Sequence, residues 1–88
     1  MASYKILFKP SIAKDLRRLP KTLLPRILGR IEELKDHPLP RQSLKLSGGE
    51  NLYRTRLGNY RIVYGVDKTR NTVTIHYVRH RREVYRRL

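Results

Sequence analysis

Gly58-Asn59 stands between two strand-like runs, Asn51 to Leu57 and Tyr60 to Asp67, and dictates how they meet. Glycine at the first central position of a two-residue loop suits a type II′ hairpin turn. Such a turn pairs Leu57 with Tyr60, and therefore Arg56 with Arg61. Side chains alternate faces along a strand, so Arg54, Arg56 and Arg61 project from one side. Like charges set opposite each other destabilise a sheet. A chain that keeps them points to an anion as partner, and a phosphate backbone is the commonest large one.

The rest of the chain builds a support for this hairpin. Residues 3–9 read as a strand, with Tyr4, Ile6 and Phe8 alternating with Lys5, Leu7 and Lys9. Pro10-Ser11 opens a helix carrying Ile12, Leu16 and Leu19, with Lys14, Asp15, Arg17 and Arg18 facing out. Leu19-Pro20 ends it. A second helix starts near Thr22 as N-cap, with Pro25 in its first turn and Leu24, Ile27, Leu28, Ile31 and Leu34 as its apolar stripe. Gly29 lies inside that helix, and close packing on the first helix is the expected reason. His37-Pro38-Leu39-Pro40 stops the helix, and residues 41–50 read as a loop. Strands follow at 51–57, 60–67 and 72–78, with a polar turn from Asp67 to Asn71. Residues 79–88 predict a terminal turn or two docked through Val84 and Leu88. The expected fold is one α+β domain over residues 1–88, in the order β-α-α-β-β-β-α. It has a mostly antiparallel sheet with a two-helix hairpin on one face.

Composition narrows the partner. Against 7 Asp and Glu stand 21 Lys and Arg, a formal net charge of +14. That excess predicts attraction to nucleic acid first, an acidic protein second and an anionic membrane last. A membrane-surface helix favours Trp or Phe on its apolar side; Trp is absent and Phe occurs once. No segment approaches the roughly 18 apolar residues of a membrane span, and the N-terminus lacks the apolar run of a signal peptide. With no Cys there is neither a disulfide nor a thiolate metal site, which fits a cytoplasmic protein. Three separated histidines without a matching acidic set predict no metal, and no cofactor motif is present.

The candidate chemistry gathers on the hairpin face. Arg54, Arg56, Arg61 and Arg79 around one cavity suit a scissile phosphate, because guanidinium grips phosphate oxygens in pairs and stays charged. Tyr85 can fold back over the same face to stack on a base or exchange a proton. Lys45, His80, Arg81 and Arg82 are assigned to nucleic-acid contact. The run containing Arg81, Arg82, Arg86 and Arg87 equally suits a plain solvated face. Tyr53, Tyr60, Tyr64 and Tyr77 read as core or cross-strand packing. No pair of carboxylates or histidines supplies the acid and base that a self-sufficient ribonuclease normally needs.

From Leu52 to Tyr64 and from Val78 to Tyr85, with Leu44-Lys45-Leu46-Ser47-Gly48 before them, the chain resembles toxins of the RelE/ParE superfamily of prokaryotic toxin–antitoxin pairs. The resemblance covers nearly the whole chain. It implies a microbial-RNase-like fold. In the RelE branch it implies metal-free cleavage of messenger RNA in the A site of the 70S ribosome, the ribose 2′-hydroxyl attacking its own 3′ phosphate. Basic residues at Arg54, Arg56, Arg61 and Arg79 and a tyrosine at Tyr85 match that branch. The best-known RelE pattern has Lys where this chain has Arg54 and Arg56. Arginine keeps its proton, so Arg56 is expected to stabilise charge, leaving Tyr85, His80 or a ribosomal group as the base. The partner implied is an acidic antitoxin, with the toxin alone monomeric and the pair forming a higher-order complex. The alternatives are a ParE-like inhibitor of DNA gyrase that cuts nothing, or a relic that binds antitoxin and co-represses transcription.

Overall fold

The computed structural model describes residues 3–38, 44–45 and 52–80, the pair 44–45 by backbone alone. The elements are β1 (Lys5–Phe8), α1 (Ile12–Arg17), α2 (Leu24–Glu33), β2 (Leu44–Lys45), β3 (Leu52–Leu57), β4 (Tyr60–Asp67) and β5 (Thr72–His80). They form one sheet in the order β1-β5-β4-β3-β2. Among the described residues β1 and β5 run parallel, and the other neighbours are antiparallel. The α+β order read from the sequence is observed from β1 through β5, with two differences. β5 continues two residues beyond 78, and Leu44–Lys45, expected inside a loop, pair with Tyr53 and Arg54. The outer edge of β3 offers unpaired backbone groups, and even two residues suffice to meet some of them. The expected terminal helical segment lies outside the described residues from 81 onward.

The core lies between the helices and one sheet face. Ile12 and Leu19, Ile27, Ile31 and Leu34 pack against Leu57, Ile62, Tyr64, Val66, Val73, Ile75 and Val78. Tyr64 stacks with Tyr53 at 6.1 Å, and its hydroxyl donates to the Pro38 carbonyl at 2.8 Å. That bond ties the chain leaving α2 to the sheet centre. The α2 stripe is narrower than its sequence period implies, because Leu28 is 42% exposed. The N-cap is Leu23, not Thr22, and makes no side-chain cap. The Pro20 carbonyl accepts from the amides of Leu23 and Leu24, so a tight turn leads straight into the helix.

Gly29 corrects another expectation. A Cβ built there meets nothing within 4 Å, so no close approach to α1 requires glycine. Gly29→Ala should therefore stabilise the domain by about 0.8–1.0 kcal/mol through helix propensity alone. Urea unfolding reads this directly, and equal or lower stability would refute the open space beside Gly29.

One irregularity matters for the site. Val63 pairs with Tyr77, but the next residue, Tyr64, pairs with Ile75, leaving His76 as an extra residue on β5. This is a β-bulge. It allows Ile75 and Val78, three positions apart, both to join the helix-side core. Tyr77 and Arg79 are thereby sent to the opposite face.

Candidate nucleic-acid interface

The hairpin register is the one the turn residues dictate: Leu57 opposes Tyr60, Arg56 opposes Arg61, and Gly58 takes a φ of +59°. On the other side of β4, Arg61 opposes Arg79. Arg56, Arg61 and Arg79 thus form one row across three strands, on the face away from the helices. Beside it runs a second row, Arg54, Val63 and Tyr77. Directly opposed Cβ atoms lie about 4.5–5.5 Å apart, so three guanidiniums start from neighbouring points.

Each guanidinium of the first row leaves in a different direction. Arg56 is exposed. Arg61 is buried, only 6% exposed, and its Nη1 donates to the carbonyls of Gly58 at 3.3 Å and Tyr60 at 3.1 Å. It braces the turn that sets the register. Arg79 lies over the Tyr77 ring, with Cζ 4.5 Å from the centroid, and its Nε stands 3.6 Å from Asp15 Oδ2. Arg30, reaching up from α2, donates to the Arg56 carbonyl at 3.0 Å and to Thr55 Oγ1 at 3.3 Å. It fastens the strand from below.

Asp15 was expected to face solvent with its basic neighbours; it is 5% exposed. The cause is the end of β1. Lys9 N donates to the Ile75 carbonyl, and Pro10, which has no N–H, cannot continue the ladder. Among the described residues, no strand pairs with the edge of β5 beyond that point. The Val78 amide therefore donates to Asp15 Oδ2 at 3.2 Å, a carboxylate taking the place of a strand carbonyl. Tyr77, read from the sequence as packing, supports Arg79 by cation–π contact.

A family model described as the ParE toxin of type II toxin–antitoxin systems, parDE, matches residues 6–85. The chain belongs to this family. Among similar curated proteins, Toxin RelE3 of Methanocaldococcus jannaschii is 35% identical over 85 residues, covering 92% of this chain and 94% of that one. Toxin RelG of Mycobacterium tuberculosis is 35% identical over 91 residues, covering 96% and 98%. Among solved structures, the archaeal RelE–RelB complex of Pyrococcus horikoshii OT3 matches with a TM-score of 0.79 at 32% identity, covering 90% of this chain and 96% of that one. The protein is thus a RelE-like toxin of a type II toxin–antitoxin system.

The remaining residues assigned from the sequence divide clearly. Arg54, half-buried, lies on the arginine face. His80 does not: it opposes Tyr60, meets that ring edge-on at 5.5 Å, and stands on the helix side with Val78. Its backbone position has the parity of the core, yet at the edge of β5 it lines one small cavity together with Arg79. Tyr85, Arg81 and Arg82 lie outside the described residues, and Lys45 is placed by backbone only. No helix among the described residues is long and apolar enough to cross a membrane.

His76, the bulge residue, has its pKa lowered from the ordinary 6.5, first by burial and second by the charge of Lys9. The folded toxin thus favours the neutral imidazole. The associated stability is present above 6.5 and is lost as pH falls through the lowered folded value, because the unfolded chain binds the proton first. The melting temperature should fall on acidification below 6.5, and His76→Gln should flatten part of that slope. Identical slopes in the two proteins would remove His76 as a contributor.

Proposed function

We propose that this toxin is a ribosome-dependent messenger-RNA endoribonuclease. The observation that carries the reading is the cross-strand row of Arg56, Arg61 and Arg79 on the sheet face opposite α1 and α2. Like charges brought together in this way favour an anion between them, and a phosphodiester passing through a dianionic phosphorane is such an anion. The ribose 2′-oxygen forms a bond to its own 3′ phosphorus as the bond to the 5′ oxygen breaks. The products are a 2′,3′-cyclic phosphate and a 5′-hydroxyl. Arg61 and Arg79 are positioned before substrate arrives, and such preorganised charge stabilises a transition state without further rearrangement. Arg56 closes on the phosphate from the exposed end, and Arg54 extends the basic surface. Tyr85, His80 or a group of the ribosome takes the 2′-hydroxyl proton.

The P. horikoshii neighbour is a complex with RelB. By analogy this toxin pairs with an antitoxin, and its charge of +14 calls for an acidic one that neutralises it in the cytoplasm. The ParE name of the matching family favours a second reading, inhibition of DNA gyrase without cleavage. One experiment separates them. Purified toxin is added to 70S ribosomes holding a programmed A-site codon and, separately, to gyrase with relaxed plasmid. Cleavage within the codon, ending in a cyclic phosphate, is expected. Intact message with blocked supercoiling would establish the gyrase reading instead. Naked RNA should be cut slowly, because the ribosome supplies the alignment.

A further inference from the structure

We propose that Asp15 is a positioning residue for Arg79, holding its guanidinium in the orientation the reacting phosphate needs; this rests on the endoribonuclease reading above. Arg79 is the outer member of the row on β5, where no further strand pairs among the described residues. Repulsion from Arg61 would drive an unrestrained side chain outward into solvent. Instead its side chain is only 17% exposed, and three contacts define it. Its backbone is held opposite Arg61, its plane rests over Tyr77, and its Nε faces the Asp15 carboxylate. Asp15 is itself immobilised, because the same Oδ2 accepts the Val78 amide. A carboxylate on α1 thereby sets a side chain on the opposite face of the sheet by reaching around its edge.

Nε and Nη1 of Arg79 are buried without a hydrogen-bond partner among the described residues, and a cavity of about 70 Å³ adjoins them between Asp15, Arg18, Tyr60 and His80. With those two nitrogens turned inward, Nη2 is the donor left to meet a phosphate oxygen. The carboxylate lies 3.6 Å from Nε, near enough to fix direction yet too long for a strong charge-assisted bond. Arg79 therefore keeps its charge available to an anion while losing its freedom to swing. Such a group acts on the transition state more than on binding, since orientation is set in advance and no new contact is added.

Asp15→Asn tests this, because the amide oxygen still accepts from Val78 while the charge is gone. Single-turnover cleavage on programmed ribosomes should slow by about 10- to 100-fold. The half-saturating ribosome concentration should stay near wild type, while the melting temperature falls because the buried Arg79 loses its counter-ion. In an Arg79→Gln background the same change should cause no further loss. A rate for Asp15→Asn equal to wild type, or losses that multiply in the double variant, would overturn the proposal. A second measurement needs no cleavage. The Nε–H resonance of Arg79, assigned by its disappearance in Arg79→Gln, should exchange slowly with water in the free toxin and quickly in Asp15→Asn. Fast exchange in the wild type also overturns the proposal. A wild-type toxin that shows the protected resonance but leaves message intact would instead sink the endoribonuclease reading.

Discussion

Arg56→Ala should cost about 10²–10³ in single-turnover cleavage, the usual effect of removing one charge contact to a transition state, and leave the fold intact. Arg56 is the exposed end of the row, and what Arg30 holds is its main-chain carbonyl, which alanine retains. Its side chain opposes Arg61, so truncation relieves repulsion of about 0.2–1 kcal/mol. Exposed substitutions otherwise change stability by about 0.5 kcal/mol or less. The melting midpoint should therefore hold or rise slightly while activity collapses. That combination leaves no structural route to the loss. A variant that cuts message at the wild-type rate would show that the exposed end of the row takes no part in the chemistry.

Arg61→Ala should fail on both counts. Cleavage should fall by a similar 10²–10³, but here the domain weakens as well. A purely electrostatic view, with Arg61 flanked by Arg56 and Arg79, predicts relief and greater stability. The contacts decide otherwise. Hydrogen bonds from a charged group contribute about 1.5–3 kcal/mol, and Arg61 Nη1 makes two of them to turn carbonyls from a nearly buried position. These outweigh the relief of about 0.2–1 kcal/mol per opposed pair. For a domain this small the melting temperature should drop by roughly 5–15 °C. An unchanged midpoint would mean that the carbonyls of Gly58 and Tyr60 are equally well served by water, and Arg61 would then be an active-site residue only.

The parts of the fold legible in the sequence are those set by near neighbours. Gly58-Asn59 specifies its turn within four residues, and that turn alone puts Arg56 against Arg61. Pro10 and Pro20 bracket the first helix for reasons internal to the backbone. Ile27, Ile31 and Leu34 are buried as their spacing requires, whereas Leu28 shows that the stripe's width depends on what lies opposite. Asp15 was hidden because its partners, Val78 and Arg79, lie more than sixty positions away. Its setting among Lys14, Arg17 and Arg18 reads locally as an outward face. The pairing of Tyr77 with Arg79 was within reach, since residues two apart share a strand face. Strict alternation through 72–78 carries Tyr77 after Val73 and Ile75 into the core, and the extra residue His76 turns it outward instead. The position of Arg79 opposite Arg61 likewise depends on His76, which no local pattern marks as surplus.

The last strand therefore behaves like a message with a reading frame. From Thr72 to Ile75 odd-numbered residues face the helices; after His76 the even-numbered Val78 and His80 do. Substitutions in this stretch alter single side chains. Removing or adding one residue between Ile75 and Val78 would exchange the two faces for everything downstream, turning Arg79 toward the helices and Val78 toward the arginine face. Length in this strand is accordingly under tighter constraint than composition. Aligning related toxins here by apolar pattern without gaps would mistake the arginine for a core position.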